Sequence, residues 1–205
     1  DTARRAAGVL VLDFSGGDDA RGLDDAHIGL DAAGGYWADP GHQYAPAAWK
    51  GLSVEALQQE VYTYTRSVMQ ALKDQGTVPD MVQTGNEINH GIIWPQGNVA
   101  NTDQLARLLN AANAGVKAVD PTVVIMLHVA LGGQNDESIF FIDEMVKRGV
   151  QFDVIGESYY PKWHGTLEDL QYNLDDLSRR YQKDVIVVEY SHRKEAVNKI
   201  GFAVK

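Results

Sequence analysis

The chain has 205 residues, 44% hydrophobic and 22% charged, with no cysteine and a formal net charge of −10. This length and composition are typical of a single soluble globular domain. The lack of cysteine excludes disulfides, thiolate metal sites and a cysteine nucleophile. The acidic charge disfavours nucleic acid or an anionic membrane as a partner, because phosphate binding needs clustered lysine and arginine. No apolar run approaches membrane-spanning length, and the N-terminus lacks the apolar core of a signal peptide, so an exported form would be mature or trimmed.

The first strand that the sequence predicts runs from Val9 to Phe14. The glycine pair that follows Ser15 ends it. From there to position 35 the chain is dense in glycine and aspartate and has no periodic hydrophobic pattern, so we expect an irregular segment. Its aspartate pairs match no EF-hand spacing, and we expect no obligatory metal ion.

From position 53 onward, helices and strands alternate. Hydrophobic residues recur at helical spacing behind a polar first residue in four segments, which begin at Ser53, Asn101-Thr102, Asp136 and Thr166. Short, largely apolar runs predict buried strands at residues 81–84, 123–128, 152–158 and 185–188. Buried strands that alternate with helices indicate an α/β fold with a parallel sheet covered by helices.

The last two predicted helices carry further local signals. Thr166 begins the first of them with the pattern of a capping box that has Asp169 in the acidic position. Its inward face is predicted to comprise Leu167, Leu170, Leu174 and Leu177. A short helix up to Lys199 is expected to follow the last strand.

Residues with functional side chains stand at the ends of four predicted strands. Glu87 and Glu189 each follow a buried strand, and His128 and Tyr159 end the two strands between them. A single glutamate in such a place is more often a loop cap or a surface ion-pair partner. Two buried strands that both end in a carboxylate are the arrangement that glycosidic bond cleavage requires. Glu157 is expected to face the helix layer instead.

The distribution of these residues favours one architecture. A site spread over several strand ends is typical of a (β/α)8 barrel, the TIM-barrel type. A doubly wound sheet would fit the same alternation of elements, but no strand is followed by a glycine-rich phosphate loop.

Three long segments carry a family resemblance. Residues 37–49 begin Trp-Ala-Asp-Pro-Gly-His-Gln and end Pro-Ala-Ala-Trp. Residues 82–97 read Val-Gln-Thr-Gly-Asn-Glu-Ile and then, after two residues, Gly-Ile-Ile-Trp-Pro-Gln-Gly. Residues 153–167 read Asp-Val-Ile-Gly-Glu-Ser-Tyr-Tyr-Pro-Lys-Trp-His-Gly-Thr-Leu. In this order they resemble the loop after the third strand, the acid/base segment and the sixth-strand segment of glycoside hydrolase family 53, the endo-β-1,4-galactanases. The resemblance covers the chain from about Tyr36 to its end.

The resemblance implies a retaining, endo-acting glycosidase that cleaves β-1,4-galactan and type I arabinogalactan. It implies that Glu87 is the acid/base, that Glu189 is the nucleophile, and that Asn86 hydrogen-bonds the sugar 2-hydroxyl. In retaining enzymes the two carboxyl groups lie about 5 Å apart. We also expect an extracellular or periplasmic monomer that needs no cofactor, acts on a polysaccharide and binds neither nucleic acid nor membrane.

The resemblance also singles out residues for sugar contact. Aromatic rings can stack on the apolar faces of a pyranose, although each ring alone more often packs in a core or at a rim. The candidates for stacking are Trp37, Trp94, Tyr160 and Trp163.

Polar candidates for the substrate site come from the same motifs. His128 and His164 are predicted to hydrogen-bond the substrate or to orient Glu189, although a lone histidine is more often structural. Tyr159 is predicted to donate a hydrogen bond to Glu189, which would help to keep that carboxylate ionised. Asp39, in the first motif, is also expected to bind substrate.

The chain departs from the family pattern in two places. The family's third-strand motif contains a histidine and a tyrosine that are absent from residues 13–18 and 31–35. The first two strands and the Trp-Glu-Pro segment of the last strand have no visible counterpart. We therefore expect a single barrel domain over residues 1–205 that is incomplete or minimised, truncated or remodelled at both ends. Two alternatives stay open: another retaining β-glycosidase of the same clan, and an inactive carbohydrate-binding barrel fragment.

Overall fold

Five parallel strands and the helices between them make up the part of the chain that the structure describes. The computed structural model describes residues 9–12, 14 and 41–191. Its strands are β1 (Val9–Leu12), β2 (Met81–Thr84), β3 (Val124–Val129), β4 (Val154–Tyr159) and β5 (Asp184–Tyr190). Its helices are α1 (Val54–Asp74), α2 (Thr102–Val119), α3 (Asn135–Lys147), α4 (Pro161–His164) and α5 (Leu167–Tyr181). Short 3₁₀ turns lie at Ala47–Trp49, Ile88–His90 and Val99–Asn101.

The strands lie in the sheet in chain order, β1-β2-β3-β4-β5, and every neighbouring pair is parallel. A parallel pair needs a crossover connection, and helices provide it between β2 and β5. The predicted α/β fold with a parallel sheet is confirmed. Because the carboxyl ends of parallel strands share one edge, the residues after β2, β3, β4 and β5 meet at the same end of the sheet.

The apolar core lies between the sheet and its helices. β4 is buried along its whole length, as a strand covered on both faces should be, whereas β5 is half-buried or exposed. Helices α1 and α2 pack closely at Gly115. A Cβ atom there would lie 2.8 Å from the Thr65 Cβ and 2.9 Å from the Tyr62 carbonyl oxygen, so a larger residue would push the helices apart.

Side-chain caps fix the first turns of α1 and α5. The Ser53 hydroxyl accepts a hydrogen bond from the Ala56 N–H at 3.2 Å. The Thr166 hydroxyl accepts from the Asp169 N–H at 3.1 Å, and the Asp169 carboxylate accepts from the Thr166 N–H at 2.8 Å. The predicted capping box is confirmed; loss of such a cap typically costs about 1 kcal/mol.

Some predicted details are wrong. Asn101 makes no side-chain cap, because a 3₁₀ turn precedes α2 and Asn98 caps that turn through the Ala100 N–H at 2.9 Å. Leu167 is 45% exposed, because the first turn of α5 extends past the core in which Leu177 is fully buried.

The remaining expectations for the fold fall near the ends of the described residues. β1 ends at Leu12, and Phe14 packs edge-on against Tyr64 with ring centroids 6.3 Å apart. The expected irregular segment before position 35 and the expected helix up to Lys199 lie outside the described residues. None of the helices in residues 41–191 is long and apolar enough to cross a membrane.

Candidate active site

The backbone turns sharply where β2 ends. Gly85 has φ 90°, and a Cβ atom there would lie 2.5 Å from the Ile88 Cγ2, so only glycine fits. Glu87 also has a left-handed backbone, with φ 46°, which is uncommon for a residue other than glycine. Strained backbone of this kind is concentrated at functional sites. The turn leaves Glu87 only 8% exposed at the carboxyl end of the sheet.

Three side chains hold Asn86, the residue before Glu87. Gln43 Nε2 donates to the Asn86 backbone carbonyl at 2.9 Å. Gln83 Nε2 lies 3.1 Å from Asn86 Oδ1, and His128 Nδ1 lies 3.0 Å from the same oxygen. Asn86 is therefore fixed through both its main chain and its side chain.

His128 lies on β3 and is fully buried. Its Nε2 atom lies 2.9 Å from the Ser158 hydroxyl on β4, and its Nδ1 atom faces Asn86. Burial lowers the pKa of His128 to about 4, so the ring is neutral near pH 7. The predicted direct contact of His128 with substrate does not fit this arrangement, because the ring is fully buried and both of its nitrogens face protein atoms; these partners are Asn86 and Ser158 and not Glu189.

A register shift between β4 and β5 determines which way Glu189 points. Glu157 pairs with Val187, but the next residue, Ser158, pairs with Glu189, so Val188 is an extra residue on β5. Side chains alternate along a strand, and one extra residue moves those after it to the other face. The bulge therefore turns Glu189 to the face that carries Ser158 and His128.

Tyr160 donates a hydrogen bond to one of the two carboxylates and interacts electrostatically with the other. Its hydroxyl donates to Glu189 Oε2 at 2.7 Å. Burial, this hydrogen bond and the negative charges of Glu189 and Glu87 together raise the pKa of Tyr160 above its ordinary value. One hydroxyl thus experiences both glutamates, which lie on the same side of the sheet although three strand intervals separate β2 from β5.

The predicted hydrogen bond from Tyr159 to Glu189 is wrong, whereas the predicted contact of His164 with substrate stays a prediction. Tyr159 is 1% exposed and donates to the Gly165 carbonyl at 3.0 Å, so its neighbour Tyr160 bonds the carboxylate instead. The reason is alternation, since consecutive side chains point to opposite faces of a strand. His164 is 6% exposed, and its Nδ1 lies 2.9 Å from the Ser158 carbonyl oxygen, so it braces the turn after β4. Burial lowers its pKa, and the Ser158 contact partly offsets this.

The predicted stacking residues lie in two places. Trp94 is half-buried; its Nε1 donates to the His90 carbonyl at 2.9 Å, and its ring meets Tyr44 edge-on at 5.3 Å. Trp163 is 64% exposed and has Lys162 Nζ 4.5 Å from its ring centre. Trp163 also lies edge-on to Tyr160, with ring centroids 6.5 Å apart. Trp37 and Asp39 lie outside the described residues.

Glu157 faces the helix layer, as predicted. It is fully buried on β4, and Asn173 Nδ2 of α5 donates to its Oε1 at 3.2 Å. Burial raises the pKa of Glu157 to about 8, although hydrogen bonds from Ser138 and Asn173 act in the opposite direction. Glu157 therefore holds a proton near pH 7.

Sequence reasoning missed three residues of the site: Gln43, Gln83 and Ser158. All three lie within the motifs that carry the family resemblance, and Gln83 and Ser158 are also polar residues inside predicted buried strands, so these signals could have identified them. The contact of Gln43 with Asn86 joins residues 43 positions apart, which no local pattern indicates. Within residues 41–191 and the short segment of β1, no three His, Asp or Glu side chains are grouped so that they could hold a metal ion.

Comparison with known families matches this arrangement to one of them. The model of glycosyl hydrolase family 53 matches residues 34–200. The chain belongs to this family. An uncharacterized protein from Niallia circulans is 47% identical over 164 residues, which are 76% of this chain and 45% of that protein. A probable arabinogalactan endo-β-1,4-galactanase A from Neosartorya fischeri is 37% identical over 162 residues, 75% of this chain and 46% of the relative. The family 53 chain thus spans about half the length of the curated relatives it matches.

Solved structures support the same assignment. The family 53 catalytic domain of Ignisphaera aggregans has a TM-score of 0.74 and 43% identity, and the match covers 77% of this chain and 43% of that one. A fungal β-1,4-galactanase has a TM-score of 0.71 and 36% identity over 76% of this chain and 49% of its own. A family 10 xylanase from Thermobacillus composti, with a TM-score of 0.55 and 12% identity, shares the fold alone. The five described strands are part of a (β/α)8 barrel of this type, which confirms the predicted fold class.

Proposed function

We propose that the chain is part of a retaining, endo-acting glycoside hydrolase that cleaves β-1,4-galactosidic bonds in galactan and type I arabinogalactan. The observation that carries the proposal is that Glu87 and Glu189 lie at the same end of the parallel sheet, with Glu189 hydrogen-bonded to Tyr160. Membership of family 53 supports the substrate, since several relatives are named arabinogalactan endo-β-1,4-galactanases.

In the first step, a carboxylate oxygen of Glu189 attacks the anomeric carbon and forms a glycosyl ester. The glycosidic C–O bond breaks, and the Glu87 carboxylic acid donates its proton to the leaving oxygen. In the second step, the Glu87 carboxylate takes a proton from water. The water oxygen attacks the anomeric carbon, and Glu189 leaves as a carboxylate. Two inversions give net retention of configuration.

The contacts of Glu189 support its role as nucleophile. Its Oε2 accepts the hydrogen bond from Tyr160, which fixes the plane of the carboxylate. The second oxygen, Oε1, is then the one directed to the anomeric carbon. Glu87, held by a strained backbone and nearly buried, is suited to keep its carboxyl group at a fixed place beside the leaving oxygen.

Substrate contacts complete the proposal. Asn86 would donate to the 2-hydroxyl of the sugar that is cleaved. The exposed ring of Trp163 and the half-buried ring of Trp94 are suited to stack on neighbouring galactose units. Trp37 and Asp39 remain candidates on the basis of their motif alone. No cofactor enters either step of the proposed mechanism.

The reaction class can be tested with a panel of polysaccharides. The chain is incubated with linear β-1,4-galactan, mannan, xylan and cellulose, and the products are separated by size. We expect short galacto-oligosaccharides from galactan and no product from the other three. Preference for one of the others would identify a different retaining glycosidase, and binding to galactan without products would indicate an inactive carbohydrate-binding barrel. We expect weaker turnover than in full-length relatives, because substrate contacts that lie outside this half also stabilise the transition state.

The individual roles can be tested by chemical rescue. In Glu189→Ala, azide should restore turnover and give a galactosyl azide with inverted configuration. In Glu87→Ala, azide should give the retained product, and substrates with good leaving groups should still react, since they need no acid. Glu60→Ala, at an exposed glutamate on α1, provides the control and should behave as the wild type. The same rescue in both variants would show that the roles are wrong.

We further propose that the protein is a monomer. We also propose that it acts outside the cell membrane, because a polymeric substrate does not cross a lipid bilayer. Light scattering on the purified chain tests the first statement, and a mass near twice that of the chain would contradict it. Enzyme activity in the medium or periplasm of the source cells tests the second.

A further inference from the structure

The side-chain oxygen of Asn86 has two neighbours that can donate to it. Gln83 Nε2 lies 3.1 Å away and His128 Nδ1 lies 3.0 Å away. The backbone carbonyl of Asn86 is held separately by Gln43 Nε2 at 2.9 Å. The orientation of the amide therefore follows from the orientation of its neighbours.

The Gly85 carbonyl fixes the first neighbour. A carbonyl oxygen can only accept, so the nitrogen of the Gln83 amide must be the atom that lies 3.0 Å from it. The same nitrogen lies 3.1 Å from the Asn86 side chain, and the Asn86 atom that faces it must then be the acceptor, Oδ1. This choice sets the proton on the ring of His128: Nδ1 carries the hydrogen and donates to Oδ1.

The Nε2 side of the His128 ring is consistent with this assignment. With its proton on Nδ1, the neutral ring has an acceptor at Nε2, and the Ser158 hydroxyl lies 2.9 Å away and can donate to it. The Glu87 N–H also points to Nδ1, at 3.4 Å, and would need an acceptor there. The contact of Nδ1 with Asn86 Oδ1 is shorter, at 3.0 Å, and decides the assignment. The hydrogen bonds thus run from Ser158 through His128 to Asn86.

We propose that His128 is a positioning residue for recognition of the sugar 2-hydroxyl: it holds Asn86 Oδ1 so that the amide nitrogen, Nδ2, is the group that Asn86 turns to the substrate. Asn86 therefore donates to the 2-hydroxyl and does not accept from it. The inference rests on the proposed glycosidase function and goes beyond it, since it gives a role to a buried residue that touches no substrate. The Ser158 hydroxyl, on the next strand, can donate or accept, and it donates to Nε2 in this tautomer.

The test compares two substrates that differ in one oxygen. An aryl β-1,4-galactobioside is used with its counterpart that lacks the 2-hydroxyl on the sugar next to the aryl leaving group. The readout is kcat/KM for the hydroxylated substrate divided by kcat/KM for the 2-deoxy substrate. Asn86→Ala should lower this ratio about tenfold or more, because the 2-hydroxyl contact strengthens in the transition state.

His128→Leu should lower the ratio nearly as much as Asn86→Ala. We expect kcat/KM to fall about tenfold on the hydroxylated substrate and less than about threefold on the 2-deoxy substrate. The double variant should show no further fall in the ratio, because both changes remove the same interaction. His128→Asn keeps a donor near the position of Nδ1 and should recover most of the ratio. Asn113→Ala, at a buried residue of α2 that donates to the Gln151 carbonyl, should lower stability and leave the ratio unchanged.

Each other outcome overturns a different part of the account. Equal losses on both substrates in His128→Leu, with a lowered ratio in Asn86→Ala, would show that His128 is merely structural. An unchanged ratio in Asn86→Ala would overturn the inference and the assignment of Asn86 but leave Glu87 and Glu189 in place. No turnover by the wild type would contradict the proposed function itself.

The tautomer can be measured without any activity. Ring nitrogen shifts in the NMR spectrum of labelled protein, assigned by their loss in His128→Asn, report which nitrogen carries the proton. We expect the Nδ1–H form near neutral pH in the wild type. The Nε2–H form would overturn the inference whatever the kinetics show.

Discussion

Tyr160 donates a hydrogen bond to Glu189 Oε2 at 2.7 Å. The bond depends on the bulge in β5, because that extra residue brings Glu189 into register with Ser158 and turns its carboxylate towards the site. Tyr160 itself follows β4 directly, so the contact joins the ends of two adjacent strands. Hydrogen bonds to charged groups are about twice as strong as neutral ones.

Replacement of Tyr160 by phenylalanine should therefore slow catalysis. A hydrogen bond to a charged group contributes about 1.5–3 kcal/mol, which corresponds to a loss of about ten- to a hundredfold in kcat. KM should change little, because the hydroxyl contacts the carboxylate and not the sugar. Steady-state kinetics on galactan give both constants.

Tyr159→Phe is the matched control, because the Tyr159 hydroxyl donates to the Gly165 carbonyl instead. This variant should lose stability and keep kcat. Equal losses of kcat in the two variants would show that the bond to Glu189 has no special role.

The buried Glu157 should make stability fall as the pH rises. Burial raises its pKa to about 8 in the folded chain, against 4.5 as the ordinary value. Between these values the folded chain keeps a proton on Glu157 that the unfolded chain loses, so the contribution of Glu157 to the free energy of unfolding is full below about pH 4.5 and is lost as the pH rises through 8. The loss should be on the order of a few kcal/mol.

Glu157→Gln, which is neutral at every pH, should lack this fall. Urea unfolding at pH 5 and pH 8.5, about the two ends of the window, gives the difference for each protein. Glu168→Gln, at an exposed residue of α5, should lose as much unfolding free energy between the two pH values as the wild type does. If Glu157→Gln loses as much unfolding free energy between these pH values as the wild type, the fall cannot come from Glu157.

Gly133→Ala should disturb the segment after β4. A Cβ atom at Gly133 would overlap with the carbonyl oxygen of His164, a backbone atom that cannot rotate away. The turn that carries Tyr160 and Trp163 would have to move, so we expect a lower melting temperature and a clear loss of kcat. Gly51→Ala is the control: its φ of 81° strains an alanine, but no atom lies within 4 Å of the new Cβ, so stability should fall by only about 1 kcal/mol and kcat should not change.

The fold could largely be predicted from sequence because its signals are local. Helical spacing, the cap at Ser53 and the capping box at Thr166 involve residues a few positions apart. The strand ends that carry Glu87 and Glu189 follow from the same patterns.

The direction of the side chains could not be predicted in the same way. Regular alternation along β5 would place Glu189 on the face of Val187, and only the bulge at Val188 reverses it. The choice between Tyr159 and Tyr160 depends on the same alternation across the end of β4. The contact of Gln43 with Asn86 depends on packing between distant segments, which no local pattern encodes.

Covalent labelling of the nucleophile tests the central claim most directly. A β-1,4-galactobioside with fluorine at the 2-position of the sugar next to a good leaving group should react once and stop at the glycosyl-enzyme, because fluorine slows its hydrolysis. Mass spectrometry of the digested protein then locates the added disaccharide. We predict a single label on Glu189, which forms in Glu87→Ala as well and is absent in Glu189→Ala. A label on Glu87 or on any other residue would contradict the account.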